Sequence, residues 1–343
     1  MSDSVLAKLA QSAIVADVDY EQPGKQLGAL AVPQSLNSSG WRSEFVPIAV
    51  VNGGPGPTAL LFGGNHGDEY EGPVALMKLV SALDPAQLRG RVIIMPMLNR
   101  PAVEAGTRLS PLDGRNMNRA FPGRPDDTIT GMIAHYVSSV LFPMAEIVVD
   151  IHSGGRSAHF LPSVNMHRVP DDEQMRKMIA AGMAWGAPYV FIYRDVGGVG
   201  LLPGLAEQLG KVTLGTEMGS ASQFGADILA LTEGGVWNVL RHVGILVDRA
   251  PDAPATPAQV VAADQYDDYI MAPVSGIFEP FAEMGAWFEA GQPVGQIHSV
   301  ERPFAAPVPV PARTSGMLMS RRAFPLTRQG DNVATLVRPF SLD

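Results

Sequence analysis

His66 and Glu69 stand three positions apart in the run Gly63-Gly64-Asn65-His66-Gly67-Asp68-Glu69-Tyr70-Glu71-Gly72, at the end of an apolar stretch. On a tight turn or a first helical turn, positions i and i+3 share a face, so an imidazole and a carboxylate can converge on one metal ion. The surrounding glycines let the chain turn sharply off a strand. A third ligand is expected from His152 in Val148-Val149-Asp150-Ile151-His152-Ser153-Gly154-Gly155, where an apolar run again ends in polar residues and glycine. Two histidines and one glutamate leave a fourth zinc position open, as catalytic sites do and closed structural sites do not. A His-x-x-Glu pair recurs by chance. Metal is favoured here because both histidines follow predicted strands, where α/β folds gather their reactive groups. Asp150, two residues before His152, is placed to orient that imidazole.

Other residue types complete a hydrolytic reading. Between the halves of the metal site lie Gly106-Thr107-Arg108 and then Asp113-Gly114-Arg115-Asn116-Met117-Asn118-Arg119-Ala120-Phe121-Pro122-Gly123. A guanidinium presents a planar fork of donors that suits a carboxylate, and a neighbouring amide can add one more. Asn118 and Arg119 are therefore expected to hold a substrate carboxylate, and Arg108 to face the carbonyl under attack. Arg115 reads equally well as a surface residue of a polar loop. Glu217, in Thr213-Leu214-Gly215-Thr216-Glu217-Met218-Gly219, is the candidate general base and acid. One carboxylate of raised proton affinity can both take a proton from water and deliver one to a leaving amine. His135, His242 and His298 read as structural or exposed. His159 and His167 follow the His152 loop closely enough to border a pocket without being ligands.

These groups must be positioned by alternating strands and helices. Thr58 to Phe62 is short, apolar and bounded by glycine, as a buried strand would be. Val74 to Leu83 forms a helical stripe behind Pro73, and Arg91 to Met95 returns as a strand. The pattern continues with a helix over Ile129 to Phe142, a strand over Ile147 to Ile151, a helix over Asp171 to Trp185 and a strand over Tyr189 to Tyr193. Val212 to Leu214 is a further strand. Leu229 to Val243 is a helix that Gly234-Gly235 should interrupt. Such alternation defines an α/β domain with a mostly parallel sheet covered by helices. It spans residues 1–250, with a β extension up to about 45. Prolines and alanines over Asp248 to Pro257 mark a linker. Glycine- and proline-punctuated short segments over 260–343 then indicate a smaller β domain of sandwich type. Ala272-Pro273-Val274-Ser275-Gly276 resembles lipoyl and biotinyl carriers, but there is no lysine from Val212 onward to carry a prosthetic group.

Composition narrows the field. Among 343 residues, 46% are hydrophobic and 17% charged, which supports a substantial core. With 25 Lys+Arg against 34 Asp+Glu, the net charge of −9 disfavours nucleic acid and anionic membranes as partners. No cysteine is present, so any metal must take nitrogen and oxygen ligands. Met1 to Lys8 does not resemble a secretory signal, and no apolar run reaches membrane-spanning length, so a cytoplasmic location is expected.

Taken in order, His66-x-x-Glu69, Asn118-Arg119, His152 after Asp-Ile, and Glu217 resemble the succinylglutamate desuccinylase/aspartoacylase family, relatives of the zinc carboxypeptidases. The resemblance covers roughly residues 45–245. The run from Gly63 to Pro73 is most similar to that family's branch of N-acetyl-diaminobutanoate deacetylases of ectoine breakdown. It implies a zinc-carboxypeptidase-like fold and one zinc held by His66, Glu69 and His152. It also implies Glu217 as acid and base, carboxylate recognition by Asn118 and Arg119, and a polarising Arg108. One departure is that no second carboxylate-binding arginine can be matched within Arg194-Asp195-Val196-Gly197-Gly198-Val199-Gly200, and a substrate with a cationic side chain would suit this acidic chain. The expected activity is removal of a small acyl group from an amino acid, with N2-acetyl-L-2,4-diaminobutanoate as the leading substrate. Aspartoacylase- or desuccinylase-like activity, a carboxypeptidase acting on peptides, and a non-catalytic carrier are the alternatives. The β region offers a surface for self-association, so a homodimer is also expected.

Overall fold

Strands Thr58–Gly63, Arg91–Met95 and Ile147–Ile151 are buried along their whole length, which is why each reads as an unbroken apolar run. They pair in parallel with Thr58–Gly63 at the centre, and Val212–Glu217 joins in parallel beyond Ile147–Ile151. The computed structural model describes residues 11–194, 198–219, 223–247 and 256–342. Ser163–His167 enters antiparallel to Val212–Glu217, and Tyr189–Tyr193 and Gln259–Ala263 follow in parallel. On the opposite flank a long hairpin, Gly24–Leu36 and Ser39–Asn52, adds antiparallel strands beside Arg91–Met95.

Helices cover both faces. Glu71–Ala82, Asp172–Trp185 and Ala226–His242 bury Leu76, Leu79, Met175, Met178, Val236 and Val239 against one side of the sheet. Ile129–Tyr136 and Leu202–Gln208 bury Ile129, Ile133, Leu202 and Ala206 against the other. The fold is thus the mixed α/β sheet that the sequence pattern anticipates.

Three local departures have physical causes. The helix expected to run to Phe142 changes to a π turn over Val137–Leu141 and a 3-10 turn over Phe142–Met144, where Pro143 offers no N–H to the ladder. The helix over Ala226–His242 is not interrupted at its glycine pair. A Cβ on Gly235 would lie 2.0 Å from Nε1 of Trp185, so this glycine permits close helix packing. Strand Ala158–Phe160 is too short to show a pattern, and Ser163–His167 alternates Ser163, Asn165 and His167 with Val164 and Met166, so neither reads as an apolar run.

Beyond residue 256, Gln259–Ala263 extends the large sheet, and Asn332–Pro339 and Gly316–Arg322 continue it antiparallel. Val308–Pro311, Pro293–His298, Gly276–Pro280 and Leu326–Thr327 form a separate four-stranded sheet. Most of the expected linker, residues 248–255, lies outside the described residues. Among the described residues, no helix is long and apolar enough to cross a membrane.

Candidate active site

The three parallel central strands deliver the site. The chain leaves Thr58–Gly63 through Gly64 at φ +63° and passes against the short helix Arg100–Ala105. A Cβ on Gly67 would lie 1.9 Å from the Ala102 carbonyl carbon, so only glycine lets the loop approach this closely. The loop carries His66 and Glu69 inward, and His152 follows directly on Ile147–Ile151. His66, Glu69 and His152 are all buried, and one ligand atom from each lies within 4.8 Å of the others.

Both carboxylate oxygens of Glu69 are engaged by imidazoles. Nδ1 of His66 is 2.8 Å from Oε1, and Nδ1 of His152 is 2.8 Å from Oε2. The other ring nitrogens face acceptors. His66 Nε2 lies 3.2 Å from Asn116 Oδ1, an oxygen that also accepts from the Asn118 backbone N–H. His152 Nε2 lies 2.8 Å from Asp150 Oδ2, which Asn65 Nδ2 also contacts at 2.8 Å. Both nitrogens of each ring face acceptors, and with each Nε2 donating, the Nδ1 lone pairs of the neutral rings are aimed at carboxylate oxygens. Two lone pairs facing two anionic oxygens call for a cation between them, and the donor set suits a divalent metal of the zinc type.

The proton affinities state the same demand. Burial opposes charge on His152, yet the Asp150 and Glu69 carboxylates raise its proton affinity well above the ordinary imidazole value, as carboxylates seeking a cation would. Burial pushes His66 down and keeps it neutral. Burial would raise Glu69, but the two imidazoles pull it below the usual carboxylate range.

Glu217 ends the strand Val212–Glu217 and is tied to the His152 loop by its neighbours. The Thr216 hydroxyl donates to the His152 carbonyl at 2.9 Å and accepts from its N–H at 3.1 Å, and Met218 N–H donates to the same carbonyl. Glu217 Oε2 is buried without a partner among the described residues. Burial, with the Glu69 charge second, pushes its proton affinity up to about 8, the range a carboxyl needs to pass protons near neutrality.

His66, Glu69, Arg108, Asn118, Arg119, His152 and Glu217 all line one cavity of about 320 Å³. Arg108 Nη1 lies 3.3 Å from His66 Nδ1 and 3.5 Å from Glu69 Oε1. Asn118 Oδ1 accepts from Leu202 N–H at 2.8 Å, leaving its amide N–H groups for a ligand. Arg119 Nη1 donates to the Asn118 carbonyl at 2.6 Å. Tyr269, Ser320, Asn332 and Thr335, from the strands after residue 260, complete the wall. Arg194 also borders the cavity, whereas Asp195 to Gly197 lie outside the described residues. Arg115 pairs with Asp127 away from it, and His298 pairs with Glu279 on the surface. Asn116 and Asn65 are the groups that sequence reasoning left without a role. Their only signal was proximity, two residues before Asn118 and one before His66.

Residues 55–243 match the succinylglutamate desuccinylase/aspartoacylase catalytic domain, and the chain belongs to that family of deacylases. It is 40% identical over 325 residues, 95% of each chain, to the N-alpha-acetyl-L-2,4-diaminobutyric acid deacetylase of Halomonas elongata. It superposes with a TM-score of 0.91 on a succinylglutamate desuccinylase/aspartoacylase from Rhodobacter sphaeroides, at 37% identity over 96% of this chain and 100% of that one. The product-bound structure of the ectoine utilization protein EutE (DoeB) from Ruegeria pomeroyi gives a TM-score of 0.90 at 36% identity, covering 95% of this chain and 99% of the other.

Proposed function

We propose that the chain is a zinc-dependent amidohydrolase that cleaves N2-acetyl-L-2,4-diaminobutanoate to diaminobutanoate and acetate, a step of ectoine breakdown. His66, Glu69 and His152 would hold the zinc, and Asp150 and Asn116 fix the two imidazoles. Zinc bound there would supply Lewis-acid polarisation of the acyl carbonyl and would acidify water. Glu217 accepts a proton as water adds to the acyl carbon and returns it to the departing amine nitrogen. Arg108, beside Glu69, is placed to donate to the carbonyl oxygen as it gains charge. The Asn118 amide and the Arg119 guanidinium anchor the substrate carboxylate.

The observation that carries this reading is the convergence of the His66–Glu69–His152 cluster with the proton-holding Glu217 across one small cavity. The residues of the C-terminal strands in its wall favour a small N-acyl amino acid over a peptide. The 40% identity to a diaminobutyric acid deacetylase supports the choice of substrate. The test is turnover of N2-acetyl-diaminobutanoate, N-acetylaspartate, N-succinylglutamate and an N-acetyl dipeptide, with and without a chelator. The first should be preferred, and chelation should abolish activity until zinc is restored. Preference for any of the other three, or full activity in chelator, would overturn the proposal.

A further inference from the structure

One wall of the cavity takes no part in metal binding or proton transfer. Asn165 stands on the strand Ser163–His167 directly across from Gly215. The residue is 9% exposed, and its side chain lines the cavity and has no hydrogen-bond partner among the described residues. Buried amides are nearly always paired, so one that opens into a ligand cavity is matched when a ligand arrives. A Cβ at position 215 would lie 2.1 Å from Asn165 Oδ1, so this amide rests on bare glycine backbone. Glu217 lies two residues along from Gly215 on the same face of the sheet, about 7 Å away in the strand direction.

The neighbouring strand presents aromatic rings to the same place. Phe191 is the register partner of Asn165, and Tyr193 follows on the same face. Their centroids are 5.9 Å apart, and both line the cavity. Tyr193 is braced by the His167 ring at 4.2 Å, and Glu207 holds His167 Nδ1 at 2.6 Å. A carbonyl oxygen beside aromatic rings offers an alkylammonium group both an acceptor and cation–π contact. Arg194, the basic group bordering this side, is exposed.

We propose that Asn165, seated on Gly215 with Phe191 and Tyr193 on the adjacent strand, selects substrates whose side chain ends in a primary ammonium, accepting from it through Oδ1. This rests on the amino acid deacylase reading. It adds a residue that reads the side chain, whereas Asn118 and Arg119 read the carboxylate.

The test compares N2-acetyl-L-2,4-diaminobutanoate with N-acetyl-L-norvaline, which has the same shape without the charge. Asn165→Leu should lower kcat/KM for the diamino substrate about 10- to 100-fold while leaving the norvaline compound within about 3-fold. Asn165→Asp, which keeps the acceptor oxygen and replaces the NH2 donor with a second acceptor, should retain the preference. Equal losses on both substrates with Leu, an intact preference with Leu, or a lost preference with Asp would each overturn the role of Asn165. Melting curves and zinc content establish that each variant folds, and Asn165→Ala replaces the Leu variant if that one does not. Wild-type protein that hydrolyses neither compound, or prefers norvaline, overturns the substrate reading and this inference together. Wild-type preference for the diamino compound that survives Asn165→Leu overturns the inference alone.

Discussion

At the residue scale, the proposed chemistry rests on a carboxyl that keeps its proton. In the folded chain Glu217 titrates at about 8 against 4.5 for an ordinary glutamate. Its folded value is the higher one, so its contribution to stability is complete below pH 4.5 and is lost as pH climbs through 8. Glu217→Gln carries a neutral amide at every pH. In chelated protein its melting temperature should track wild type near about pH 5 and exceed it near about pH 9. A gap of the same size at both would show that the carboxyl does not titrate in this range. In zinc-loaded protein the same variant should keep its metal and lose roughly 100- to 10,000-fold in kcat. Asn116→Ala frees the back of His66 and should weaken zinc affinity by about 10- to 100-fold, read by competition against a chromophoric chelator. His66, Glu69, His152 and Glu217 were legible in the sequence as candidates because each sits where an apolar run stops, and the structure brings them to one cavity. Asn116 was not, since its function is a contact made across fifty positions of chain to His66.

At the scale of elements, strand–helix alternation was readable wherever strands were buried on both faces and thus apolar throughout. It failed at Ser163–His167, whose Ser163, Asn165 and His167 look like loop residues until the cavity and Glu207 are in view. The Gly234-Gly235 pair misled in the other direction. In isolation glycine weakens a helix, but here it admits the Trp185 indole. Gly235→Ala should therefore destabilise the protein by about 1–3 kcal/mol in urea unfolding despite its better helix propensity. Combined with Trp185→Leu, the added methyl should cost less than it does alone. Simple additivity of the two changes would place the clash elsewhere.

At the scale of the molecule, the strands after residue 256 are joined to the large sheet and share its packing. Val261, Ala263, Tyr269, Met319 and Val337 form one apolar cluster with Phe191. A chain ended at about residue 250 exposes that cluster and the open edge of Tyr189–Tyr193, and is expected to aggregate without a cooperative melting transition. A soluble, cooperatively melting fragment would argue for a self-sufficient catalytic unit. Composition located the change of texture near 250–260. It did not disclose that Gln259–Ala263 would add itself to the existing sheet, because parallel pairing depends on partners far away in the chain.

The walls of the cavity come from both ends of the polypeptide, with His66 early and Thr335 in the final strand. During synthesis on the ribosome, the chamber cannot close until Asn332–Pro339 has cleared the exit tunnel. The growing chain therefore carries His66, Glu69, His152 and Glu217 long before the wall that faces them is in place.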